Sequence, residues 1–121
     1  MGRQSRTPRN TRAAGRRAEL RALVHYALRG YRVLGRNVWA GGNEIDLVVR
    51  RGGCIVFCEV KSKGGTGHGD PFEMIDTEKL RRLQRAAEAW LAAHPELDGL
   101  ETAFEAVAVR SGRLERVGVV I

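Results

Sequence analysis

Two stretches rich in Val and Ile, Asn43–Arg50 and Cys54–Lys61, are separated by a pair of glycines and predict a β-hairpin. Gly52-Gly53 can adopt positive φ, which the tight two-residue turns of hairpins require. A loop of that length also fixes how the strands pair, because Arg51 must then face the first residue of the second strand. Every further pair follows from this one, so the sequence predicts the register of the hairpin.

In this register one face of the hairpin is charged, with Asp46 opposite Glu59 and Glu44 opposite Lys61. The four side chains share a face because side chains alternate along a strand. The other face is predicted to be apolar throughout and consists of Ile45, Leu47, Val49, Cys54, Val56, Cys58 and Val60. The hairpin should therefore bury one side and present charged groups on the other.

Two carboxylates that face each other across a ladder, such as Asp46 and Glu59, repel unless a cation lies between them or one is protonated. A divalent metal held by both and by a backbone carbonyl such as that of Val60 would remove the repulsion, and such hard oxygen ligands suit Mg²⁺. Lys61 could then stabilise charge on phosphorus or orient a metal-bound water. The alternative is a half-exposed hairpin with a merely charged face, in which Glu44 and Lys61 form a surface pair that contributes little stability.

The remaining periodicities predict two helices and three further strands. The first helix spans Gly15–Arg29, stops at Gly30 and has an apolar stripe of Ala18, Leu20, Leu23, Val24, Ala27 and Leu28. The second begins after the N-cap Asp76 and continues to about Ala93, with Leu80, Leu83, Ala87, Trp90 and Leu91 on its buried side. The further strands are Tyr31–Val38, with Val33 and Leu34 in the core, Thr102–Val109 and Leu114–Val120.

The order helix, three strands, helix, two strands predicts one α/β domain with a central mixed sheet flanked by helices. The hairpin strands should be central, and the second helix allows a right-handed crossover to a strand parallel to Cys54–Lys61. Trp39, just before the Gly41-Gly42 turn, could stack on a nucleic-acid base. We favour the other interpretation, in which it packs over an edge of the sheet.

The 121-residue chain has a net charge of +7, most of which belongs to its N-terminal end. Six of the 21 Lys and Arg residues precede the first acid, Glu19, whereas the remaining 15 are matched by 14 acids. Residues 1–14 mix Arg with small polar residues and lack apolar periodicity, so we expect a disordered Arg-rich tail ahead of one domain at 15–121. The tail could add salt-sensitive phosphate affinity or solubility.

The sequence has neither the apolar region of a secretory signal nor a run of transmembrane length, and we expect a cytoplasmic protein. Cys54 and Cys58 lie on one predicted strand, roughly 13 Å apart by the usual rise per residue. That distance excludes a disulfide between them, so both should be reduced, buried thiols. Beside the charged face, the glycine-rich segment 64–71 predicts a mobile loop whose His68 could transfer protons.

Asp46 followed on the next strand by Glu59-Val60-Lys61 resembles the active-site signature of the PD-(D/E)xK nuclease superfamily. A fuller set of motifs is similar to the YraN-like family of small bacterial proteins: Gly30–Leu34, Asn43–Leu47, Val56–Lys61 and Gly69–Pro71. The resemblance extends from about Gly15 to Val120. It implies a restriction endonuclease-like, or resolvase-like, fold.

What the resemblance implies about function is a metal-dependent endonuclease that hydrolyses phosphodiester bonds in DNA with Mg²⁺ or Mn²⁺. Asp46 and Glu59 would be metal ligands and Lys61 the charge-stabilising group. Glu44 and Glu19 would be supporting acids, the latter matching a glutamate on the first helix of such nucleases. Residues that would contact phosphate are Lys63 beside the site and Lys79, Arg81, Arg82 and Arg85 on the second helix.

This sequence departs from the family pattern at two positions. Ala18 replaces the Gly that usually precedes Glu19, and Glu105 stands where an Asp is usual, so Glu105 is assigned no function. Branched or structured DNA is suggested as the substrate by analogy with resolvases of this fold, and a two-fold dimer would suit cutting both strands. The alternatives are a catalytically inactive nucleic-acid-binding or partner-binding module on the same scaffold, and an RNA-binding protein that relies on its Arg-rich tail.

Overall fold

Helices and strands follow one another in the predicted order within residues 9–63 and 76–119, which are those that the computed structural model describes. They are α1 (Arg9–Leu28), β1 (Arg32–Ala40), β2 (Asn43–Arg51), β3 (Cys54–Lys63), α2 (Thr77–Ala92), a 3-10 turn (Pro95–Leu97), β4 (Glu101–Arg110) and β5 (Arg113–Val119). Helix α1 begins before the predicted Gly15. Residues 1–8 of the proposed tail and the proposed loop at 64–71 with His68 lie outside the described residues.

The hairpin around Gly52 has the predicted register. Arg51 pairs with Cys54, and the antiparallel ladder continues from that pair to Leu47 opposite Cys58. Gly52 has a φ of +59°, which a two-residue turn needs and which glycine adopts without steric cost. The turn chemistry therefore decides which residues of β2 and β3 face each other.

The five strands form one mixed sheet in the order β1-β2-β3-β4-β5. Strand β1 is antiparallel to β2, β4 is parallel to β3, and β5 is antiparallel to β4. The parallel pair runs from Cys54 opposite Glu101 to Lys63 opposite Arg110, and the connection between these strands contains α2. This confirms the predicted α/β class, with β3 as the central strand.

Both faces of the central hairpin are buried over most of its length, because each is covered by a helix, so the prediction of one buried and one charged face was wrong. On one face α1 packs Ala18, Ala22 and Tyr26 against a cluster that includes Val49 and Cys58. On the other face α2 covers Val48, Ile55 and Phe57 with Leu83, Ala86, Ala87 and Trp90. The acidic side chains of the hairpin, Glu44, Asp46 and Glu59, lie together with Lys61 at the end away from its turn.

The buried side of α1 differs from the predicted stripe. The structure buries Ala18, Ala22 and Tyr26, whereas Leu20, Val24 and Leu28 are 52, 44 and 79% exposed. Small Ala side chains let the helix approach the sheet closely, and Tyr26 reaches a polar partner on β4, as described below. Hydrophobicity alone favoured the larger side chains, and that prediction was wrong for these three.

Helix α2 follows its prediction. Asp76 caps it, with Oδ1 accepting a 2.9 Å hydrogen bond from the backbone N–H of Lys79. Leu83, Ala87 and Trp90 are buried as the helical period requires. The cap fixes where the helix starts and hence which of its basic side chains come close to the charged end of the hairpin.

Trp39 does not pack over the sheet, and the favoured interpretation of this residue was wrong. It lies near the end of β1, an edge strand, and its side chain is 73% exposed. The aromatic cover on the sheet comes instead from Trp90 of α2, which is 6% exposed and contacts Phe57 edge-on at 5.8 Å between ring centroids.

The β1–β2 turn packs directly against α2, and this close contact is possible because residue 41 is a glycine. A Cβ atom at Gly41 would lie 2.9 Å from the backbone oxygen of Arg85, and Gly41 has a φ of +58°. Gly42 also has positive φ, +78°, but no atom lies within 4 Å of the corresponding Cβ position. Both glycines therefore need a positive φ, but only Gly42 has room for a Cβ atom.

Replacing Gly41 with Ala should destabilise the protein more than the same change at Gly42. Gly42→Ala should cost about 1–2 kcal/mol for the left-handed backbone alone. Gly41→Ala should cost roughly 1–3 kcal/mol more, because its methyl group collides with α2. Urea unfolding of both variants measures the difference, and equal losses would contradict the close contact between this turn and α2.

The two cysteines are free, as predicted, with Cys58 buried and Cys54 half-buried. Burial raises the pKa of the Cys58 thiol to about 12, so it stays protonated and unreactive. In the stretches 9–63 and 76–119, no helix combines the length and the apolar character needed to cross a membrane.

Candidate active site

The β2–β3 ladder ends where the charged residues begin. Leu47 and Cys58 form the last registered pair, so the predicted pairs Asp46–Glu59 and Glu44–Lys61 are not part of the ladder. Beyond its end, Oδ2 of Asp46 accepts a 2.8 Å hydrogen bond from the backbone N–H of Val60. The N–H and C=O of one strand residue point to the same side of the strand. The carbonyl of Val60 therefore faces the same gap as the Asp46 carboxylate.

The strands are irregular around Asp46. Asn37, with a φ of +50°, lies between the β1 residues that pair with Leu47 and Ile45. Ile45 packs on the α2 side, whereas Leu47 packs on the α1 side, so the prediction that they share a face was wrong. Strict alternation therefore fails at Asp46, whose carboxylate reaches the backbone of Val60 on β3.

The surroundings of Asp46 disfavour its charged form. Burial raises the pKa of its carboxyl group to about 7, and the neighbouring Glu59 carboxylate adds to the rise. The hydrogen bond from Val60 opposes the rise, and the charges of Glu19 and Glu44 add smaller increases. The charges of the three other acids that the sequence singled out thus all act on Asp46.

Lys61 pairs with an acid of its own strand. Its Nζ lies 2.9 Å from Oε2 of Glu59, and both side chains are largely shielded, at 21 and 23% exposure. Burial opposes the charged form of Lys61, but the bond to Glu59 outweighs it and raises the pKa of the ammonium group. The predicted neighbours Glu59 and Lys61 are therefore joined directly.

A cleft of about 280 Å³ opens between this end of the hairpin and the start of α2. Lys61, Lys79 and Arg82 bring three cations to it. The neighbouring Lys61 ammonium lowers the pKa of Lys79, which indicates that the two positive charges are close. An anion between them would relieve this repulsion. The cleft is lined by Asn43, Glu44, Glu59, Lys61, Lys79, Arg82 and Leu83.

The basic residues predicted on α2 separate into two groups. Lys79 and Arg82 line the cleft, and Arg82 also forms a 3.3 Å ion pair with Glu78 one turn earlier. Arg81 and Arg85 are exposed on α2 and do not line the cleft. Lys63 is the last residue of β3.

Glu19 comes from the opposite side of the sheet. It is half-buried on α1, and Ala18 before it is 3% exposed and packed in the core. The core therefore accommodates the methyl group of Ala18, which stands where the family usually has Gly. Because the charge of Glu19 contributes to the raised pKa of Asp46, α1 brings this acid within electrostatic reach of the site.

The oxygen atoms at the end of the ladder suit a partly hydrated Mg²⁺ or Mn²⁺ ion. Asp46 and Glu59 offer carboxylates, and Val60 offers a carbonyl that faces the same gap. Among residues 9–63 and 76–119, no group of three or more His, Cys, Asp and Glu side chains has the arrangement of a metal site. The protein would therefore supply two carboxylates and a carbonyl, which is a small donor set of the kind that Mg²⁺ completes with water and substrate phosphate.

A second polar cluster, which the sequence did not predict, lies under α1. The hydroxyl of Tyr26 donates to Oε1 of Glu105, and Arg116 binds both oxygens of that carboxylate at 3.0 and 3.1 Å. The Arg116 guanidinium also lies over the Tyr26 ring, 4.7 Å from its centroid. This cluster ties α1 to β4 and β5, and it gives Glu105 a role in packing.

Removing the Tyr26 hydroxyl should weaken the fold. Tyr26→Phe should lower the free energy of unfolding by about 1–3 kcal/mol, because Glu105 loses a buried hydrogen-bond donor. Tyr31→Phe is the matched control, since the Tyr31 hydroxyl accepts only a long 3.4 Å contact from Arg116 and the residue is half-buried. Its effect should stay within about 0.5 kcal/mol. Similar losses in the two variants would contradict a specific role for the Tyr26–Glu105 bond.

The protein is a restriction endonuclease-like α/β domain. Three features define this class: the order of the elements, the mixed sheet with a helix on each face, and the acids and Glu-x-Lys motif at one end of the central strands. Comparison with known proteins gives the family. Residues 18–117 match the model of the uncharacterised protein family UPF0102, and the chain belongs to that family, as the YraN-like motifs indicated.

Relatives from several bacteria align over most of both chains, and each is called a UPF0102 protein. The one from Methylobacterium nodulans is 43% identical over 93% of this chain and 85% of its own length. The one from Methylorubrum extorquens is 44% identical over 89 and 83%, and the one from Halorhodospira halophila is 42% identical over 74% of each chain. The family description names no activity.

Proposed function

We propose that this protein is a metal-dependent endonuclease that hydrolyses phosphodiester bonds in DNA. The observation that carries the proposal is the state of Asp46, a half-buried carboxylate that accepts a hydrogen bond from Val60 N–H and has a pKa raised to about 7 by burial and by the neighbouring Glu59. A carboxyl group whose pKa is raised by burial and by a neighbouring charge is typical of functional sites. The bond between Glu59 and Lys61 places an ammonium group at the same position.

Each residue has a separate task in this proposal. Asp46 and Glu59, with the Val60 carbonyl, would hold Mg²⁺ or Mn²⁺, which supplies Lewis acidity and an activated water when bound. Lys61 orients Glu59 and stabilises negative charge that develops on the phosphoryl oxygens. Glu19 and Glu44 add negative potential, which favours a cation at the site.

The cations that line the cleft provide the DNA contact. Lys79 and Arg82 stand beside Lys61, and a backbone phosphate between them would relieve the repulsion between the two ammonium groups. Arg81, Arg85 and Lys63 would extend this surface. Phosphate contacts of this kind position a nucleic acid without reading its sequence. A branched substrate rests only on fold-level analogy.

One observation favours a second candidate, a nucleic-acid-binding module without catalysis. Glu59 already has a cationic partner in Lys61 at 2.9 Å, so part of the negative charge that would attract a metal is neutralised. In that case the cleft would bind the phosphates of a nucleic acid without hydrolysing its phosphodiester bonds.

A cleavage assay distinguishes the two candidates. The full chain is incubated with labelled duplex DNA, a four-way DNA junction, single-stranded DNA and RNA, each with Mg²⁺, Mn²⁺ or EDTA. We expect DNA cleavage with either metal and none in EDTA. An Asp46→Asn protein purified in parallel excludes contaminating nucleases. Binding without cleavage under every metal condition would favour the non-catalytic module.

A further inference from the structure

Trp39 is a large aromatic side chain left in solvent next to the candidate site. Its exposed fraction is 73%, compared with 6% for Trp90, so it contributes little to the core. It lies on β1, whose outer edge has no neighbouring strand in the described sheet. Burial against the protein therefore does not account for this residue.

The pairing of β1 and β2 places Trp39 beside the cleft. Trp39 is directly opposite Glu44, and Ala40 is opposite Asn43. Glu44 and Asn43 both line the cleft that contains Lys61 and the α2 cations. Residues opposed in an antiparallel pair have Cβ atoms roughly 5 Å apart, so the indole begins within one side-chain length of the cleft wall.

The turn that follows Trp39 packs against the backbone of α2 at Arg85. Gly41 approaches the backbone of Arg85 so closely that an added Cβ would lie 2.9 Å from its carbonyl oxygen. Arg85 is exposed on α2, one turn after the cleft-lining Arg82. The turn that follows Trp39 thus packs on the helix that carries Arg82 and Arg85.

An aromatic platform beside a cationic groove is the arrangement that binds single-stranded nucleic acid, because every base has a face available for stacking once it is unpaired. In an intact duplex that face is covered by neighbouring bases. Building on the endonuclease function proposed above, we propose that Trp39 stacks on an unpaired base of the DNA strand whose phosphates occupy the cleft. The preferred substrate class is therefore DNA with a single-stranded stretch next to the cleavage position, as at a branch or a flap.

Binding measurements test this inference separately from catalysis. Labelled single-stranded DNA and a fully paired duplex of the same length are titrated with the full-length protein in EDTA and followed by fluorescence anisotropy. Trp39→Ala should weaken single-strand binding by about 10-fold and change duplex binding by less than about 2-fold. Leu28→Ala is the matched control, since Leu28 is 79% exposed on α1 and lies outside the cleft lining, and it should change neither affinity.

Intrinsic fluorescence gives a second readout. Stacking should quench the emission of Trp39 when single-stranded DNA is added, and Trp39→Phe should abolish most of the quenching because the buried Trp90 remains as the emitter. Equal single-strand affinity of wild type and Trp39→Ala, with cleavage of DNA intact, would overturn the stacking role and leave the endonuclease proposal standing. A loss of self-association in Trp39→Ala, without any change in DNA affinity, would also overturn it. Absence of both DNA binding and cleavage in the wild type would overturn both proposals.

Discussion

Asp46→Asn should abolish metal-dependent cleavage, lowering the rate by on the order of 10³-fold. The amide keeps the shape of the side chain and can still accept the hydrogen bond from Val60 N–H, so the end of the ladder is preserved. It loses the negative charge that a divalent ion needs. DNA affinity in EDTA should change little, because phosphate contacts come from the cleft cations.

The same substitution should stabilise the protein in alkaline EDTA buffer. The folded protein holds a proton on Asp46 up to its raised pKa of about 7, whereas the unfolded chain releases it near the ordinary value of 3.8. A raised carboxyl pKa means that stability falls as the pH rises from about 4 to 7 and stays lower above that range. Asn carries no such cost. The free energy of unfolding of Asp46→Asn should therefore be larger than that of wild type by roughly 2–4 kcal/mol at pH 8, and the difference should be small at pH 4.

Urea unfolding at the two pH values measures this difference, with Asp98→Asn as the control because it makes the same chemical change at an exposed position. Adding Mg²⁺ should raise the unfolding midpoint of wild type, since a ligand that binds only the folded state stabilises it. It should leave Asp46→Asn unchanged. A variant less stable than wild type at pH 8 in EDTA would show that Asp46 is an ordinary structural carboxylate.

Most of the fold could be predicted because local chemistry determines it. The Gly52-Gly53 turn fixed the register of the hairpin, and Asp76 fixed the start of α2. The candidate acids came from the family motifs and from extending this register beyond Leu47 and Cys58, where the ladder ends in the structure. Where two residues of a turn or one cap decide the geometry, the sequence contains the necessary information.

What the sequence did not predict depends on contacts between distant residues. The partner of Tyr26 is 79 positions away, and only the folded sheet brings Glu105 under α1. That bond also helps explain why Tyr26, and not the more hydrophobic Leu20 or Leu28, faces the sheet. Likewise, strict alternation misplaced Ile45, since the left-handed Asn37 on the neighbouring strand is not evident from residue type.

Lys61→Met should separate chemistry from binding. The cleavage rate should fall by about 100-fold, because the ammonium group that offsets charge on the phosphoryl oxygens is gone while the aliphatic stem remains. Metal binding should persist, since Glu59 no longer has a competing cation 2.9 Å away. The Mg²⁺-dependent rise in the unfolding midpoint should therefore be at least as large as in wild type.

Lys79→Met is the matched control for Lys61→Met because it removes the neighbouring ammonium group of the same cleft. It should weaken DNA binding and reduce the salt dependence of that binding by about one phosphate contact, with a smaller effect on the rate at saturating DNA. We therefore expect loss of Lys61 to lower mainly the cleavage rate and loss of Lys79 to lower mainly the affinity for DNA. If both variants lost only affinity, the cleft would be a phosphate-binding surface, and the pairing of Lys61 with Glu59 would serve the fold instead of catalysis.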